Sequence, residues 1–170
     1  MDADPRFPLH HRSEVLLAAD PQRVFAHLDD HRRLASHMEK PSLMTAGASM
    51  RIETDARHGQ AVGSTIRMTG RVLGLSLSLE EVVTVHDSPR QKVWETVGEP
   101  RLLVIGGYRM GFTIDAAAGG SRLAVFIDYR LPQSGIGWLL GRLLGRPYAA
   151  WCTRRMAEDA REAFGATEPA

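Results

Sequence analysis

Hydrophobic and polar residues alternate with a period of two along the middle of the chain. Short segments rich in Gly, Pro, Asp and Ser interrupt the alternation, as turns do. The pattern predicts six strands, at residues 49–56, 63–73, 75–86, 91–97, 102–115 and 121–131. Because the predicted turns "HGQAVG", "HDSPRQ" and "AAAGGS" are short, with a tighter corner at "LG" (73–74), we expect consecutive strands to pair antiparallel.

Helical periodicity precedes this region, after a short strand predicted at residues 11–19. Asp20 is a candidate N-cap, and Pro21 occupies the first helical position, where a missing N–H costs little. Apolar residues mark one face at Val24, Phe25 and Leu28 and, after a break near Asp29 and Asp30, another at Leu34 and Met38. The segment therefore predicts two short helices in succession.

Helical periodicity returns after Pro132 and continues to about Phe164. Its second half carries a stripe at spacings of three and four, formed by Tyr148, Trp151, Cys152, Met156, Ala160 and Phe164. Pro147 cannot donate to the carbonyl of Leu143, so we expect a kink or a fresh start there. Arg142 and Arg146 interrupt the apolar run, which excludes a membrane span.

A curved sheet of six or seven strands needs a cover for its concave face, and the C-terminal helix is the only predicted element long enough. The predicted class is α+β: a curved antiparallel sheet around a long C-terminal helix, with two short helices after the first strand. We expect a flexible leader at residues 1–10, a single domain at 11–166 and a flexible tail at 167–170.

This order of elements resembles the START-related helix-grip superfamily (SRPBCC), which includes polyketide cyclase/dehydrase-like and lipid-transport proteins. The resemblance rests on "SEVLLAADPQRVFAHLDD", "RQKVWETVG", "LAVFIDYRLP" and the closing amphipathic helix. It implies an apolar cavity between sheet and helix that binds a hydrophobic small molecule, a lipid or a polyketide-like aromatic compound. The alternative is a filled core without a cavity.

Composition narrows the function further. Lysine and arginine number 21 and aspartate and glutamate 20, so no overall charge favours nucleic acid. The lone cysteine, Cys152, and a polar start without an export signal favour a cytoplasmic protein. Phosphate-loop, nucleophile-elbow and clustered-cysteine motifs are absent, so we expect no cofactor and no metal.

Strand parity and the resemblance together select the side chains expected to contact the ligand. They are Ile66, Met68, Leu77, Trp94, Tyr108, Met110, Phe112, Val125, Ile127, Tyr129, Trp151 and Met156.

A second interpretation is a cyclase/dehydrase-type enzyme in which Glu81, Tyr108 or Tyr129 moves protons. Glu81 shares its parity with the apolar residues of its strand, and an inward carboxylate would have a raised pKa. A bulge near Glu80 and Glu81 would instead place Glu81 in solvent, and we favour the bulge.

Other polar residues predict outward or solvated positions. Arg67 and Arg109 lie between inward-facing residues and are expected to face outward. His27 and His31 have the spacing of a helical metal pair, with His37 or Glu39 as a third ligand, but a solvated polar face is the favoured interpretation.

A third interpretation concerns residues 136–146, which predict docking on a bilayer or a partner enzyme. Large apolar side chains are supplied by Trp138, Leu139, Leu140, Leu143 and Leu144. With Arg142 and Arg146 they form a short basic amphipathic segment of the kind that lies in a membrane interface.

Overall fold

The structure is a computed structural model that describes residues 4–30, 49–72 and 75–165. Seven strands form one curved antiparallel sheet in the order β1-β7-β6-β5-β4-β3-β2. The strands are β1 (Leu9–Leu17), β2 (Ser49–Thr54), β3 (Thr65–Val72), β4 (Leu75–Asp87), β5 (Gln91–Arg101), β6 (Gly107–Ala117) and β7 (Gly120–Arg130), and the helices are α1 (Pro21–Asp29) and α2 (Gly135–Phe164). From β2 to β7 each strand pairs with the next, as the short turns predict.

Residues 102–106 depart from the predicted strand at 102–115. β6 begins at Gly107, and Ile105 lies buried in the irregular segment before it. The backbone here runs beneath α2, where a Cβ on Gly141 would lie 3.0 Å from the carbonyl oxygen of Val104. The apolar run therefore marks an irregular, half-buried connection that packs under a helix, with Ile105 fully buried. The corner at 73–74 and the second short helix, with Leu34 and Met38, lie outside the described residues.

α1 begins as its sequence predicts. The Asp20 side chain accepts a hydrogen bond from the backbone N–H of Arg23 at 3.0 Å, and Pro21 occupies the first turn. Val24, Phe25 and Leu28 are buried. The Phe25 ring meets the ring of Phe112 on β6 edge to face, with centroids 5.6 Å apart, so α1 closes one end of the interior.

α2 runs unbroken through Pro147, so the alternative of a fresh start there is wrong. Pro147 is exposed, and Gly145 and Ala149 on either side of it are buried, so packing holds the helix together where one ladder bond is missing. Within the described residues, no helix is long and apolar enough to cross a membrane.

The start of the chain differs from the predicted leader. β1 begins at Leu9, and Phe7 is buried. Arg6 donates to both carboxylate oxygens of Glu95 on β5, at 3.1 and 3.0 Å. Residues 4–10 therefore lie against the sheet or within it.

Candidate functional site

A buried acid on β4 meets a phenol on β6 in the interior. Glu81 is fully buried, and its carboxylate accepts a hydrogen bond from the hydroxyl of Tyr108. The prediction that a bulge near Glu80 and Glu81 places Glu81 in solvent is therefore wrong. Register irregularities lie on either side, between Ser78 and Glu80 and between Val83 and Val85, and Glu81 stays on the inward face between Leu79 and Val83, which are also buried.

Thr96 fixes the backbone from which Tyr108 projects. The paired residues of β5 and β6 end at Glu95 and Arg109. One residue further, the Thr96 hydroxyl accepts from the backbone N–H of Tyr108 at 3.0 Å and donates to its carbonyl at 3.2 Å. This side chain replaces a backbone pair and sets where the Tyr108 ring enters the interior.

The interior keeps its phenols and its thiol protonated. Burial raises the pKa of Tyr108 well above 10, and the neighbouring Glu81 raises it further. Tyr148 and Cys152 lie one turn apart on α2, and each affects the pKa of the other. The nearby thiol and burial raise the pKa of Tyr148, and burial raises the pKa of Cys152 to about 12. Cys152 is therefore a neutral buried thiol, as its apolar surroundings predict.

Tyr129 lies beside Tyr108, its direct partner across β6 and β7. Burial raises the pKa of Tyr129, and the charge of Arg146 on α2 opposes that rise. The three predicted acid–base residues thus share the inward face of the sheet, and the direct hydrogen bond joins Glu81 to Tyr108.

Most residues predicted to contact a ligand gather in this interior. Eleven of the twelve belong to one apolar cluster or pack against it; Leu77 does not. Aromatic rings line it from both sides, with the centroids of Trp94 and Phe112 6.4 Å apart and those of Tyr148 and Trp151 5.9 Å apart. Their role in binding stays a prediction.

The polar residues expected outside the interior lie there. Arg67 pairs with Glu80 at 2.7 Å on the surface. Arg109 lies 3.9 Å from Asp128 and over the ring of Phe126.

His27 packs its ring against Phe164, with centroids 5.1 Å apart. His31, His37 and Glu39 lie outside the described residues.

An open depression of about 530 Å³ lies at the end of α1. Its lining residues are Arg23, Ala26, His27, Asp30, Gln60 and Phe164. None of them belongs to the residues predicted from strand parity, so this depression is separate from the Glu81–Tyr108 pair.

Sequence reasoning missed several polar contributors to the interior, among them Thr96, Tyr148 and the fully buried Lys92. Thr96 follows Trp94 by two residues and therefore lies on the same face of β5, so strand parity could have predicted that Thr96 faces the interior. The helical period places Tyr148 on the apolar stripe of α2 without a polar role. Its effect on Cys152 follows from their spacing of four residues, which puts the two side chains side by side on a helix.

Solved structures share this fold at low sequence identity. A protein of Thermus thermophilus, TTHA0849, is 17% identical with a TM-score of 0.62, covering 91% of this chain and 99% of that one. The Zhui aromatase/cyclase of Streptomyces sp. R1128 is 14% identical with a TM-score of 0.58, covering 92% and 96%. Ara h 8.0201 is 11% identical with a TM-score of 0.58, covering 91% and 96%.

Among curated proteins no sequence matches. A family model described as "Polyketide cyclase / dehydrase and lipid transport" matches residues 9–163. That range runs from the start of β1 to the last turn of α2 and so includes the sheet, both helices and the Glu81–Tyr108 pair. The chain therefore belongs to the polyketide cyclase/dehydrase and lipid transport family.

Proposed function

We propose that this protein binds a hydrophobic small molecule between the sheet and α2, and that the Glu81–Tyr108 pair orients a polar group of that molecule. The buried pair is the observation that carries the proposal. Burying a carboxylate is costly even when it is hydrogen-bonded, and a domain that needed only a core would be as stable with apolar side chains there. A few convergent polar groups in an apolar surrounding are typical of a small-molecule site.

The chemistry of the lining indicates the ligand class. Trp94, Phe112 and Trp151 offer flat apolar surfaces. The phenolic oxygen of Tyr108, while donating to Glu81, can still accept a hydrogen bond from a ligand hydroxyl. A lipid or a polyketide-like aromatic compound with one hydroxyl group that donates to Tyr108 fits this lining, and the family description supports the same two classes. A cytoplasmic setting is part of the proposal, supported by the single, buried, free Cys152.

Binding is tested with paired probes that differ by one polar group. Native mass spectrometry and thermal shift are run with octadecane and octadecanol and with anthraquinone and hydroxyanthraquinone, so that each pair differs by one hydroxyl group. We expect complexes with at least one pair and tighter binding of its polar member. Tyr108→Phe should reduce the preference for the polar member about tenfold, the value of one hydrogen bond, while Tyr129→Phe serves as the matched control.

Two results would contradict the proposal. One is that no probe forms a complex with the wild-type protein. The other is that Tyr108→Phe keeps the wild-type preference for the polar member of the pair.

A cyclase/dehydrase reaction is the second candidate, and one observation favours it. Glu81 is a buried carboxylate hydrogen-bonded to a phenol whose pKa burial raises, so a proton acceptor and a proton donor share one apolar site. Glu81 would take a proton from the carbon beside a ketone, and Tyr108, released from the protonated Glu81, would donate a hydrogen bond to the enolate oxygen. The enolate carbon would then attack a second ketone of the same chain, and the alkoxide that forms would take the proton back from Glu81.

Activity is tested by incubating the protein with a linear polyketone thioester and following its conversion by chromatography. Glu81→Gln should abolish any acceleration over buffer, and Tyr129→Phe should retain it. Conversion no faster than in buffer, or full activity of Glu81→Gln, would rule this candidate out.

A further inference from the structure

We propose that the first half of α2 docks the protein on the surface of an anionic lipid bilayer. Its outer face consists of large apolar side chains that the fold leaves exposed: Ile136 and Leu143 at 71%, Leu139 at 60%, Trp138 at 43% and Leu144 at 42%. Contiguous apolar exposure of this kind marks a surface that another phase or molecule covers.

The opposite face of the same segment shows why these side chains point outward. Gly137, Gly141 and Gly145 recur every four residues and face the body of the protein. A Cβ on Gly141 would lie 2.8 Å from Pro132 Cδ, and one on Gly145 would lie 2.8 Å from Leu131 Cδ2. The helix is seated too closely for a larger side chain on this side, so its leucines cannot turn inward.

Charge identifies the partner as anionic. From Tyr129 to Ala157 the chain has five arginines and no aspartate or glutamate, although the whole protein carries a net charge of only +1. Arg142 and Arg146 on this segment are exposed, and the Arg142 guanidinium lies 5.0 Å from the centroid of the Trp138 ring. An apolar stripe flanked by arginines and a tryptophan is the arrangement of a helix that lies in a membrane interface.

A second copy of this chain fits the surface less well than a bilayer does. Two-fold dimers place the same patch against itself. Such a contact would bring Arg142 and Arg146 of both copies together, with no acidic residue between Tyr129 and Ala157 to neutralise them. Anionic lipid headgroups neutralise both arginines while the acyl region covers the leucines.

Docking goes beyond the proposed ligand binding and is tested without any interior ligand. The full chain is co-sedimented with vesicles of phosphatidylcholine alone and with vesicles containing 30% phosphatidylglycerol. We expect binding to the anionic vesicles that weakens from 50 to 500 mM salt, and much weaker binding to neutral vesicles. Intact binding of the interior probes in a variant that no longer sediments would separate the two proposals.

Two variants and one control isolate the surface. Leu139→Ser combined with Leu143→Ser should lower the vesicle partition constant at least tenfold. Arg142→Gln combined with Arg146→Gln should lower it about 30-fold on anionic vesicles and leave the weak binding to neutral vesicles unchanged. Val62→Ser, at a site 56% exposed elsewhere on the surface, should bind as the wild type does. Unchanged melting temperatures verify folding of each variant.

Three outcomes would overturn the proposal. The first is that the wild type does not sediment with anionic vesicles. The second is that the leucine and arginine variants sediment with them as well as the wild type does. The third is a concentration-dependent dimer that the leucine variant abolishes and that accounts for the covered face without lipid.

Discussion

The two halves of α2 belong to one continuous helix, but the first half exposes its large apolar side chains and the second half buries them. Before Pro147, the side facing the body is glycine and the side facing out is Ile and Leu. After Pro147, the buried positions are Ala149, Cys152, Thr153, Met156, Ala157 and Ala160. The outward stripe changes to Arg154, Glu158, Arg161 and Glu162, all exposed.

The second half therefore follows the ordinary rule for an amphipathic helix, and the first half inverts it. Burial of apolar area explains why Met156 and its neighbours hold α2 on the sheet. It cannot explain Leu139 and Leu143, which are more exposed than buried. The contrast separates the half of the helix whose apolar side chains are buried against the sheet from the half whose apolar side chains are exposed, which is the half that we propose docks on a bilayer.

Truncation of one side chain in each half should give the largest contrast. Met156→Ala removes a fully packed side chain and should lower the free energy of unfolding by about 2–5 kcal/mol. Leu143→Ala removes an exposed one and should change it by less than about 0.5 kcal/mol. Urea unfolding measures both. Equal losses would show that Leu143 is buried in solution and would remove the contrast.

Filling the glycine face should give the next largest effect. Gly141→Ala places a methyl group against Pro132 Cδ and the carbonyl oxygen of Val104, which cannot move away easily, and should cost about 1–3 kcal/mol. In Gly145→Ala the new methyl group meets the flexible end of the Leu131 side chain, which can move aside. Alanine also has a helix propensity about 1 kcal/mol better than that of glycine, so we expect Gly145→Ala to change the free energy of unfolding little. The same unfolding experiment compares the two. If Gly145→Ala were less stable than Gly141→Ala, the contacts at Gly141 would not be the tighter of the two.

Loss of a polar anchor in the second half should cost less. The Thr153 hydroxyl contacts His11 Nδ1 at 2.9 Å and Ser13 Oγ at 2.8 Å, which ties α2 to β1. Thr153→Val preserves the shape and should lower the free energy of unfolding by about 1 kcal/mol. Ser13→Ala, which removes one of the two contacts, should cost less than Thr153→Val. An unchanged stability of Thr153→Val would show that these contacts exchange for water without loss.

Acidification should give the smallest effect, through His11 in the same contact. Burial and the charge of Arg154 lower the pKa of His11 below 6.5, so the folded state binds fewer protons than the unfolded state. Its contribution to stability is complete above pH 6.5 and is lost as the pH falls toward the folded pKa. His11→Asn should therefore show a shallower decline of stability than the wild type between pH 7.5 and 5. Equal slopes would assign the decline to other groups.

Period and turn chemistry predicted most of the fold because they act locally. Asp20 and Pro21 predict the start of α1. The alternation of apolar and polar residues from β3 to β7 predicts which side chains face the interior. Residues 102–106 fit a strand equally well because an apolar run has the same pattern in a strand and in a buried connection. What separates them is the space that glycines on α2 leave for a backbone, a contact between distant parts of the chain.

Glu81 shows where local reasoning about the site ends. Parity alone places it inside, whereas the cost of an unpartnered carboxylate favours a bulge. The partner is Tyr108, 27 residues further along the chain. Patterns of neighbouring residues therefore cannot predict the hydrogen bond that offsets the cost of burying the Glu81 carboxylate. The strand does have irregularities, but they occur on both sides of Glu81 and keep it facing inward.

Pro147 gives α2 a mechanical property. Every other residue between Gly145 and Ala149 can donate its N–H along the helix, whereas Pro147 cannot, so the resistance of the helix to bending is lowest there. On one side a stiff arm of about 18 Å reaches from Gly135 to Arg146, at about 1.5 Å per residue. On the other side Tyr148 and Cys152 follow at once. Because Gly141 and Gly145 seat the arm against Pro132 and Leu131, packing and not the helix ladder fixes its direction at the point nearest the polar groups of the interior.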